Sequence, residues 1–521
     1  MKRKNKNLSL IMHCGLFGLT SCSFSAGTGS SSEIQGSTTS NSSVNTSNDN
    51  ENVPQSKIDR AYAKGLDIRH QYNVNYLPSL PSVGNSKMLV VPVKIKGEAL
   101  PADKDVIKSS LAKAFFGKSE DTGWESVSSF YEKSSYGKQH ISGSVSNILE
   151  TNYTLSDLRK ANDEEASNIT NKILQEAYDM YFIDERHSTD EFDSDKDGFI
   201  DSIYLVYLTE EDPNHSALWA YTYWWNSMNP QDEIKYQKLG AYCWSSYNFM
   251  LHDDRFSWNK PDAHTYIHES GHLQSLDDYY NYYDGSTSPM GGIAMMDFNI
   301  GDHDSFTKYS LGWTIPEVIT DKDNIESKTI KLRPFESTGD SLVIANNFNH
   351  TSLDEYLIME YYTPTGLNKA DSERTYELGG EKCFTVPGIK IYHVDQRLGV
   401  LNYANGWQWD GKFVDDIITT NDSYTHILAS NGMNYRSKEG YSESGFNLVT
   451  LMDGNRNKND RNPTIFERMN VPASNSTLFK SGDTFENHYE NFRFNDNSNL
   501  KYNIKIGSMT TDGCEITVTR K

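Results

Sequence analysis

One short stretch of the chain holds the side chains best suited to metal chemistry. His268 and His272 stand four residues apart in the sequence HTYIHESGH. On a helix, positions four apart lie on one face, so the two imidazoles can point at a single ion. Glu269 lies beside that ion rather than on it, and from there it can hold and deprotonate a metal-bound water. The pattern therefore predicts a catalytic zinc site on a helix.

A catalytic zinc needs a third protein ligand, and two aspartates follow the predicted helix. Asp278 lies ten residues after His268, a spacing that lets the chain leave the helix, turn and return a side chain to the metal. Asp277 is the competing choice, and His264 lies on the same helical face one turn before His268. An ordinary polar helix is the alternative to a zinc site, because the five-residue pattern is short. We predict Asp278 as the third ligand.

Glycines and methionines near this stretch predict close packing beneath it. Gly271 lies inside the helical pattern, where glycine lowers stability and therefore indicates a near neighbour. The segment PMGGIAMMDF, residues 289–298, has a glycine pair followed by methionines. This order suits a tight turn with an apolar plug beneath the metal ligands, although a methionine pair in the ordinary core beside a loop would look the same.

A second group of side chains predicts a calcium site. The sequence DSDKDGFID, residues 193–201, has carboxylates at its first, third, fifth and ninth positions and glycine at its sixth. The carboxylates can converge on one hard cation, the glycine permits the sharp bend, and the seventh residue adds a carbonyl oxygen. The predicted ligands are Asp193, Asp195, Asp197, Phe199 and Asp201. Tyr204 stands where a complete EF-hand has glutamate, and a plain acidic turn is the alternative.

The order of these motifs resembles that of one known family. H-E-S-G-H-x-x-S-x-x-D, followed by methionine–aspartate and Ser-Leu-Gly-Trp, resembles the immune inhibitor A family of secreted bacterial zinc metallopeptidases. These enzymes belong with the metzincin-like peptidases. The resemblance extends over residues 85–400 and includes four further segments in the family's order: SSFYEKSSYGKQHISGSV, FDSDKDGFIDSIYLVYL, EYLIMEYY and GIKIYHVD.

The resemblance implies a role for each matching residue. It implies that His268, His272 and Asp278 are the zinc ligands. Glu269 would be the general base and Met296 the methionine of the Met-turn. The sequence departs from the family at two positions. Ser275 stands where the family has glycine, at a turn expected to need a positive φ, and Phe298 stands where some metzincins have tyrosine. Neither departure removes a metal ligand or the base.

The N-terminus predicts export and lipid attachment. Residues 1–21 combine basic residues with an apolar run of signal-peptide length, which is short for a membrane span. They end in Leu-Thr-Ser before Cys22, which resembles a bacterial lipobox, where the cysteine carries the lipid. An ordinary signal peptide with an incidental cysteine is the alternative. Residues 22–56 are rich in Ser, Thr and Asn and predict a disordered tether.

Composition limits the partners of the protein. The formal net charge of the 521 residues is −22 at pH 7, so the phosphates of nucleic acids would be repelled. Carboxylates suit calcium and keep an exported protein soluble. Cys243, Cys383 and Cys514 lie far apart without the spacing of metal ligands, so no disulfide framework is predicted. One disulfide or single buried thiols are both compatible with this spacing.

The pattern of predicted elements indicates two folded regions. Residues 57–320 alternate buried strands, at 87–95 and 199–209, with helices that include a long amphipathic one over 156–181. Residues 321–521 contain short strand-like runs between turn residues, a pattern typical of β-sandwiches. The predicted fold class is α/β (α+β). The resemblance implies a metzincin-like metallopeptidase domain, followed by a β-rich, sandwich-like C-terminal domain.

These observations predict a zinc endopeptidase that is lipid-anchored to a bacterial cell membrane, extracytoplasmic, and equipped with calcium. Its expected partners are protein or peptide substrates and, through the anchor, the membrane; we expect a monomer that binds no nucleic acid. A surface adhesin or binding protein on a degenerate peptidase fold is the rival from another class. A hydrolase of glycan-bearing proteins is the second rival, because its zinc chemistry would be the same.

Overall fold

The structure is a computed structural model that describes most of the chain from residue 80 onward. The described residues are 80–161, 163–225, 229–251, 260–282, 287–373, 384–402, 404, 408–414, 419–420, 423–432, 444–459, 464, 466 and 472–521. The predicted signal peptide, Cys22, the tether and Cys383 lie outside them, while Cys243 and Cys514 are buried free thiols. Within the described residues, no helix is long and apolar enough to cross a membrane.

A six-stranded sheet forms the centre of the first half of the chain. Its strands are β1 (Gly84–Lys96), β2 (Gln139–Val145), β3 (Leu149–Thr154), β4 (Ile203–Tyr207), β5 (Tyr221–Trp224) and β6 (Ala241–Ser246). Their order is β2-β1-β4-β6-β5, with β3 beside the second half of β1. The paired strands run parallel, except that β5 runs antiparallel to β6. The strand predicted at 87–95 is confirmed, and the one predicted at 199–209 is confirmed over its central residues, 203–207.

Pro92 predicts an irregular or edge position for β1, because proline cannot donate a ladder hydrogen bond. The edge position is wrong, since β1 has β4 on one side and β2 and β3 on the other. Val90 accepts a hydrogen bond from the β2 side through its carbonyl, so position 92 faces the same side. There β2 pairs as far as Val90 and β3 begins at Val93. Proline therefore occupies the gap between two successive partner strands.

Helices lie on both faces of this sheet. The helices of the first half are α1 (Lys104–Phe116), α2 (Val127–Ser134), α3 (Leu155–Lys160), α4 (Asp163–Tyr178), α5 (Pro230–Lys235), α6 (His264–His272) and α7 (Ser305–Ser310). Alternate residues of β1 belong to different hydrophobic clusters. Met88 and Val90 share a cluster with α1, α2 and α6, whereas Leu89 and Val91 share one with α3 and α4. The sheet thus separates the α6 side from the α3–α4 side.

The long helix predicted over 156–181 is wrong in its continuity. It is divided into α3 and α4, because Ala161 is extended, with φ −65° and ψ 129°. A π-helical turn, Asp179–Asp184, then follows α4. Leu158 of α3 and Ile173 of α4 nevertheless lie in one hydrophobic cluster. The apolar residues on both sides of the break therefore face the same cluster, so their spacing alone does not reveal that the helix is interrupted.

Three further sheets occupy the second half of the chain. The strands are β7 (Glu317–Thr320), β8 (Ser327–Leu332), β9 (Ser341–Ala345), β10 (Glu355–Tyr362), β11 (Gly388–Asp395), β12 (Leu398–Asn402), β13 (Gln408–Val414), β14 (Thr419–Thr420), β15 (Ser423–Ile427), β16 (Val449–Leu451), β17 (Tyr502–Thr510) and β18 (Gly513–Arg520). The sheet orders are β16-β11-β10-β9-β7, β13-β12-β15-β14 and β17-β18-β8. Short helices α8 (Phe335–Thr338), α9 (Lys369–Glu373) and α10 (Phe485–His488) connect them.

The five-stranded sheet of the second half is buried on both faces. On one face of β10, Leu357 and Met359 share a hydrophobic cluster with strands β8, β17 and β18. On the opposite face, Tyr356 and Ile358 share a cluster with Ile267 of α6. The first cluster joins two sheets in the manner of a sandwich, and the second crosses the predicted boundary at residue 320. The fold is therefore mixed α/β with several sheets, as an α+β class requires.

Candidate metal centres

The helix α6 presents its two histidines to the aspartate predicted as third ligand. α6 ends at His272, and the chain turns back through Ser275, which has the expected positive φ, 62°. Asp278 Oδ1 lies 3.0 Å from His268 Nε2 and 3.4 Å from His272 Nε2. Asp278 is buried, and the side chains of His268 and His272 are partly buried, with exposed fractions of 14% and 15%. The structure thus brings His268, His272 and Asp278 together.

Both imidazoles are held with the same nitrogen facing the aspartate. His268 Nδ1 lies 2.8 Å from the carbonyl oxygen of Met295, and His272 Nδ1 lies 2.7 Å from that of Leu276. A carbonyl oxygen only accepts hydrogen bonds, so each Nδ1 carries a proton and donates it. Each Nε2 is consequently directed toward Asp278, the orientation in which histidines bind metals through Nε2.

The charges of the three groups depend on one another. Burial opposes the charged form of His272, but the carboxylate of Asp278 outweighs it and raises the pKa of His272 to about 10. Burial likewise opposes ionisation of Asp278, but the nearby His272 and His268 hold the pKa of that carboxyl well below its ordinary value. Burial raises the pKa of Glu269 against the opposing influence of both histidines. The pocket therefore favours a positive charge between the imidazoles and Asp278.

The donor set at this place fits a zinc ion. Asp278 Oδ1 is buried, and the Nε2 atoms of His268 and His272 lie beside it at 3.0 and 3.4 Å. Ligand atoms of His268, Glu269 and His272 lie within 4.8 Å of one another. Two imidazole nitrogens and one carboxylate oxygen are a donor set that zinc takes in catalytic sites. A cation bound there would replace the imidazolium proton as the positive charge that the buried carboxylate needs.

The other oxygen of Asp278 is held by a residue that sequence spacing did not indicate. Tyr282 donates its hydroxyl hydrogen to Asp278 Oδ2 over 2.8 Å. The backbone of Tyr282 is fixed in turn, because its N–H donates to the carbonyl of Gly432 over 3.0 Å. Gly432 belongs to the second half of the chain, so the β-rich region supports the site. Tyr282 lies only four residues after Asp278 but outside the zinc motif, and its support from Gly432 comes from a distant part of the chain, so the motif gave no signal for it.

Met296 forms the apolar plug predicted beneath the histidines. Its side chain is fully buried, and a Cβ added at Gly271 would lie only 2.5 Å from Met296 Sδ. The expected close neighbour of Gly271 is therefore this methionine. The glycine pair that precedes it, Gly291 and Gly292, has φ values of 69° and 77°, as a tight turn requires. Any side chain at position 271 would displace the methionine from α6.

The two alternative ligands are placed differently from the predicted three. His264 Nε2 lies 3.0 Å from the backbone oxygen of Asn299. Asp277 is only half-buried, and the distances that join the histidines to a carboxylate lead to Asp278. The geometry therefore favours Asp278 over both alternatives as a companion of His268 and His272.

Glu269 points into the same pocket and is held from the central sheet. The residue is 5% exposed, and its Oε2 accepts a hydrogen bond from Thr222 Oγ1 of β5 over 2.9 Å. β5 lies about 50 positions earlier in the sequence, so the motif gave no indication of this partner. The carboxylate of Glu269 is thus near both histidines and anchored on its far side.

The acidic loop predicted to bind calcium brings three of its four carboxylates together. Oxygens of Asp193, Asp195 and Asp197 lie within 4.8 Å of one another. Asp193 Oδ1 is buried without a hydrogen bond to any described residue, which a hard cation would satisfy. Gly198 has a φ of 97°, in agreement with the bend predicted at the sixth position. The loop therefore fits an oxygen-binding cation such as calcium.

The two remaining predicted ligands, Asp201 and Phe199, make hydrogen bonds within the loop. Asp201 accepts hydrogen bonds from the backbone N–H of Ser194, at 3.2 and 3.1 Å to its two oxygens. Phe199 donates its backbone N–H to Asp197 Oδ1 over 2.8 Å. Asp201 thus closes the loop onto its own beginning, and the Phe199 carbonyl as a ligand stays a prediction.

Taken together, the described residues contain two candidate metal centres of different chemistry, one rich in nitrogen and buried, the other acidic and more exposed. Comparison of the chain with protein-family models and with curated proteins gave no match. The functional assignment therefore depends on the sequence motifs and on the geometry of these two places.

Proposed function

We propose that the protein is a zinc-dependent endopeptidase of the immune inhibitor A type, with a metzincin-like catalytic domain. One observation supports the proposal most strongly: Asp278 Oδ1 faces the ε nitrogens of His268 and His272 at 3.0 and 3.4 Å. Ligand atoms of Glu269 and of the two histidines also lie within 4.8 Å of one another. Three ligands and an adjacent acid are what zinc-dependent hydrolysis needs from a protein.

A zinc ion held by His268, His272 and Asp278 would supply Lewis-acid polarisation of the scissile carbonyl and of water. Glu269 takes a proton from the attacking water, whose oxygen forms a bond to the carbonyl carbon. Glu269 then gives that proton to the leaving amine nitrogen as the carbon–nitrogen bond breaks. Met296 holds α6 from beneath, so the acid and the histidines keep their relative positions.

We also propose a structural role for the acidic loop. Asp193, Asp195 and Asp197 would hold calcium immediately before β4, a central strand of the six-stranded sheet. The loop offers carboxylates but no nucleophile, so its expected contribution is to stability rather than to chemistry.

The proposed location is outside the cytoplasm, on the surface of a bacterial membrane, through lipid on Cys22. The support is the lipobox-like sequence Leu-Thr-Ser-Cys at residues 19–22. Native protein should partition with membranes, and Cys22→Ala should release it or stall its processing. Unlipidated, freely soluble native protein would count against the anchor.

Three variants of the full chain test the enzymatic proposal. His272→Ala removes a ligand, so both zinc content and cleavage of a peptide library should fall. Glu269→Gln keeps the size of the side chain and removes the base, so zinc should stay while the rate drops by roughly 10² to 10⁴. His264→Gln is the matched control on the same helix and should keep its zinc.

The outcome separates the proposal from a binding protein on the same fold. Full proteolytic activity in Glu269→Gln would reject the mechanism even if zinc were bound. Zinc-loaded protein that cleaves no peptide in the library, with variants indistinguishable from it, would favour the adhesin. Cleavage restricted to glycosylated substrates would instead favour a hydrolase of glycan-bearing proteins.

A further inference from the structure

Thr222 is the residue through which the central sheet contacts the predicted base. It lies on β5, where it is paired with Cys243 of β6, and its side chain is buried. Thr222 Oγ1 lies 2.9 Å from Glu269 Oε2, 3.2 Å from the backbone oxygen of Glu269 and 3.0 Å from Cys243 Sγ. One hydroxyl therefore touches three groups of two other elements.

The direction of these hydrogen bonds follows from the number of hydrogens. The Thr222 hydroxyl has one hydrogen to donate and can accept others. Of its two acceptors in Glu269, the carboxylate oxygen is the closer and, when ionised, the stronger. Burial raises the pKa of the Cys243 thiol, so the S–H keeps its hydrogen, and Sγ lies 3.0 Å from Thr222 Oγ1 and 3.5 Å from the backbone oxygen of Glu269. Thr222 and Cys243 thus both contact Glu269 from the sheet, and only Thr222 contacts its carboxylate.

A carboxylate needs such a partner if its orientation is to be fixed. The terminal torsion of a glutamate side chain is broad, so burial alone leaves the carboxylate plane poorly determined. A hydrogen bond to one oxygen sets the rotation of the plane and therefore the direction of the other oxygen. Thr222 supplies that hydrogen bond from a strand, an element that moves less than a loop.

We propose that Thr222 is a positioning residue for the base: its hydroxyl fixes the carboxylate of Glu269 toward the pocket between His268 and His272. The proposal depends on the proposed peptidase function for its effect on rate. It predicts that loss of the hydroxyl lowers turnover without weakening metal or substrate binding, because Thr222 touches the base and neither histidine in the contacts described above.

The test compares Thr222→Val, which keeps the shape and removes the hydroxyl, with Thr222→Ser, which keeps the hydroxyl. In the full chain, Thr222→Val should lower kcat by about 10- to 100-fold, as expected for one lost hydrogen bond to a charged group. Its KM and zinc content should stay unchanged, and Thr222→Ser should restore most of the rate. Thr151→Val is the matched control, because it removes a threonine–glutamate hydrogen bond of 2.7 Å, to Glu176, on β3.

A second measurement needs no activity. In the metal-free protein, the melting temperatures of wild type, Thr222→Val, Glu269→Gln and the double variant form a thermodynamic cycle. The two changes should be non-additive if the side chains interact, and additive changes would overturn the proposal. If Thr222 merely supports the fold, Thr222→Val should lower zinc content and substrate affinity together with kcat.

The two proposals fail in different ways. Full activity of Thr222→Val beside an inactive Glu269→Gln would remove the role of Thr222 and leave the peptidase intact. A fully active Glu269→Gln would remove the peptidase mechanism, and with it the effect of Thr222 on rate. The metal-free cycle would then still report whether the hydrogen bond exists.

Discussion

The two candidate metal centres differ in what holds their ligands in place. At the histidine centre, His268 is fixed by the carbonyl of Met295 and Asp278 by the hydroxyl of Tyr282. In the acidic loop, Asp195 and Asp197 accept hydrogen bonds from N–H groups two residues further on. The hydrogen bond of His268 thus reaches a residue 27 positions away, whereas these bonds of Asp195 and Asp197 stay within the loop.

This difference affects what each ion would do for the protein. Ligands that are already oriented before the ion binds lose little freedom on binding, which favours a site of defined geometry. A loop that supplies its own ligands gains order when the ion arrives, so its ion acts mainly on stability. The four predictions below test that contrast.

The largest effect is expected from the third ligand. Asp278→Ala should lower the affinity for zinc, measured by competition with a chelator, by more than about 100-fold. Loss of a residue that only hydrogen-bonds to a metal ligand typically costs about 10- to 100-fold. Asp277→Ala is the neighbouring control and should be milder, because the short distances to both histidines belong to Asp278. Loss of zinc from Asp277→Ala alone would move the ligand by one residue and break the match between spacing and geometry.

Calcium should change stability without changing the chemistry of the histidine centre. Ligand binding to the folded state alone adds about 2.7 kcal/mol at a hundredfold excess over Kd. Melting with calcium and with a calcium-selective chelator should thus differ by several degrees. Asp195→Ala should abolish that difference, while Asp190→Ala, an exposed acid just before the loop, should leave it. Equal melting temperatures in the wild type would remove the calcium site.

Tyr282 tests whether distant residues support the histidine centre. Tyr282→Phe keeps the ring and removes the hydroxyl that donates to Asp278 Oδ2. Zinc affinity should fall by about 10- to 100-fold, the usual cost of losing an outer hydrogen bond to a ligand. The fully loaded variant should keep a near-normal kcat. Unchanged affinity, measured by competition with a chelator, would mean that the contact does not orient the aspartate.

Ser275 gives the smallest effect and isolates the turn from the metal. Its φ of 62° costs about 1–2 kcal/mol for a residue with a side chain, against about 0.5–1 kcal/mol of added freedom for glycine in the unfolded chain. Ser275→Gly should therefore raise stability by roughly 0.5–1 kcal/mol in the metal-free protein. Ser337→Gly, in helix α8 at negative φ, should lower it by a similar amount. Equal effects of both variants would show that the turn is unstrained.

Much of the fold was predictable because it depends on local pattern. The runs EYLIMEYY and GIKIYHVD became β10 and β11, and the glycine after α1 ends that helix. The break between α3 and α4 was missed because the apolar spacing continues across it. Pro92 correctly indicated that strand pairing is interrupted on one side of β1. It could not indicate that a second strand, β3, continues the pairing on that side, because β3 lies later in the chain.

The candidate site was likewise predictable only where its residues follow a local sequence pattern. Spacing along one helix and one turn leads to His268, Glu269, His272 and Asp278. Thr222 could not be found in that way, since it lies on a strand 47 residues before Glu269. Tyr282 lies four residues after Asp278 but outside the motif, and its support from Gly432 depends on how the second half of the chain packs. A short motif therefore indicated the chemistry, and the three-dimensional packing supplied its supports.

The five-stranded sheet has a consequence for how this chain can be divided. One face of β10 belongs to the same hydrophobic cluster as α6 and lies against α7, so the second half completes the core that surrounds the metal-binding helix. A chain ending at residue 320 would lose β10, expose the first-half members of that cluster to water, and lose Gly432, which accepts the hydrogen bond from the backbone N–H of Tyr282. The β-rich half is thus not an exchangeable module: recombination at this boundary would disrupt both parts, and the two halves must be inherited together.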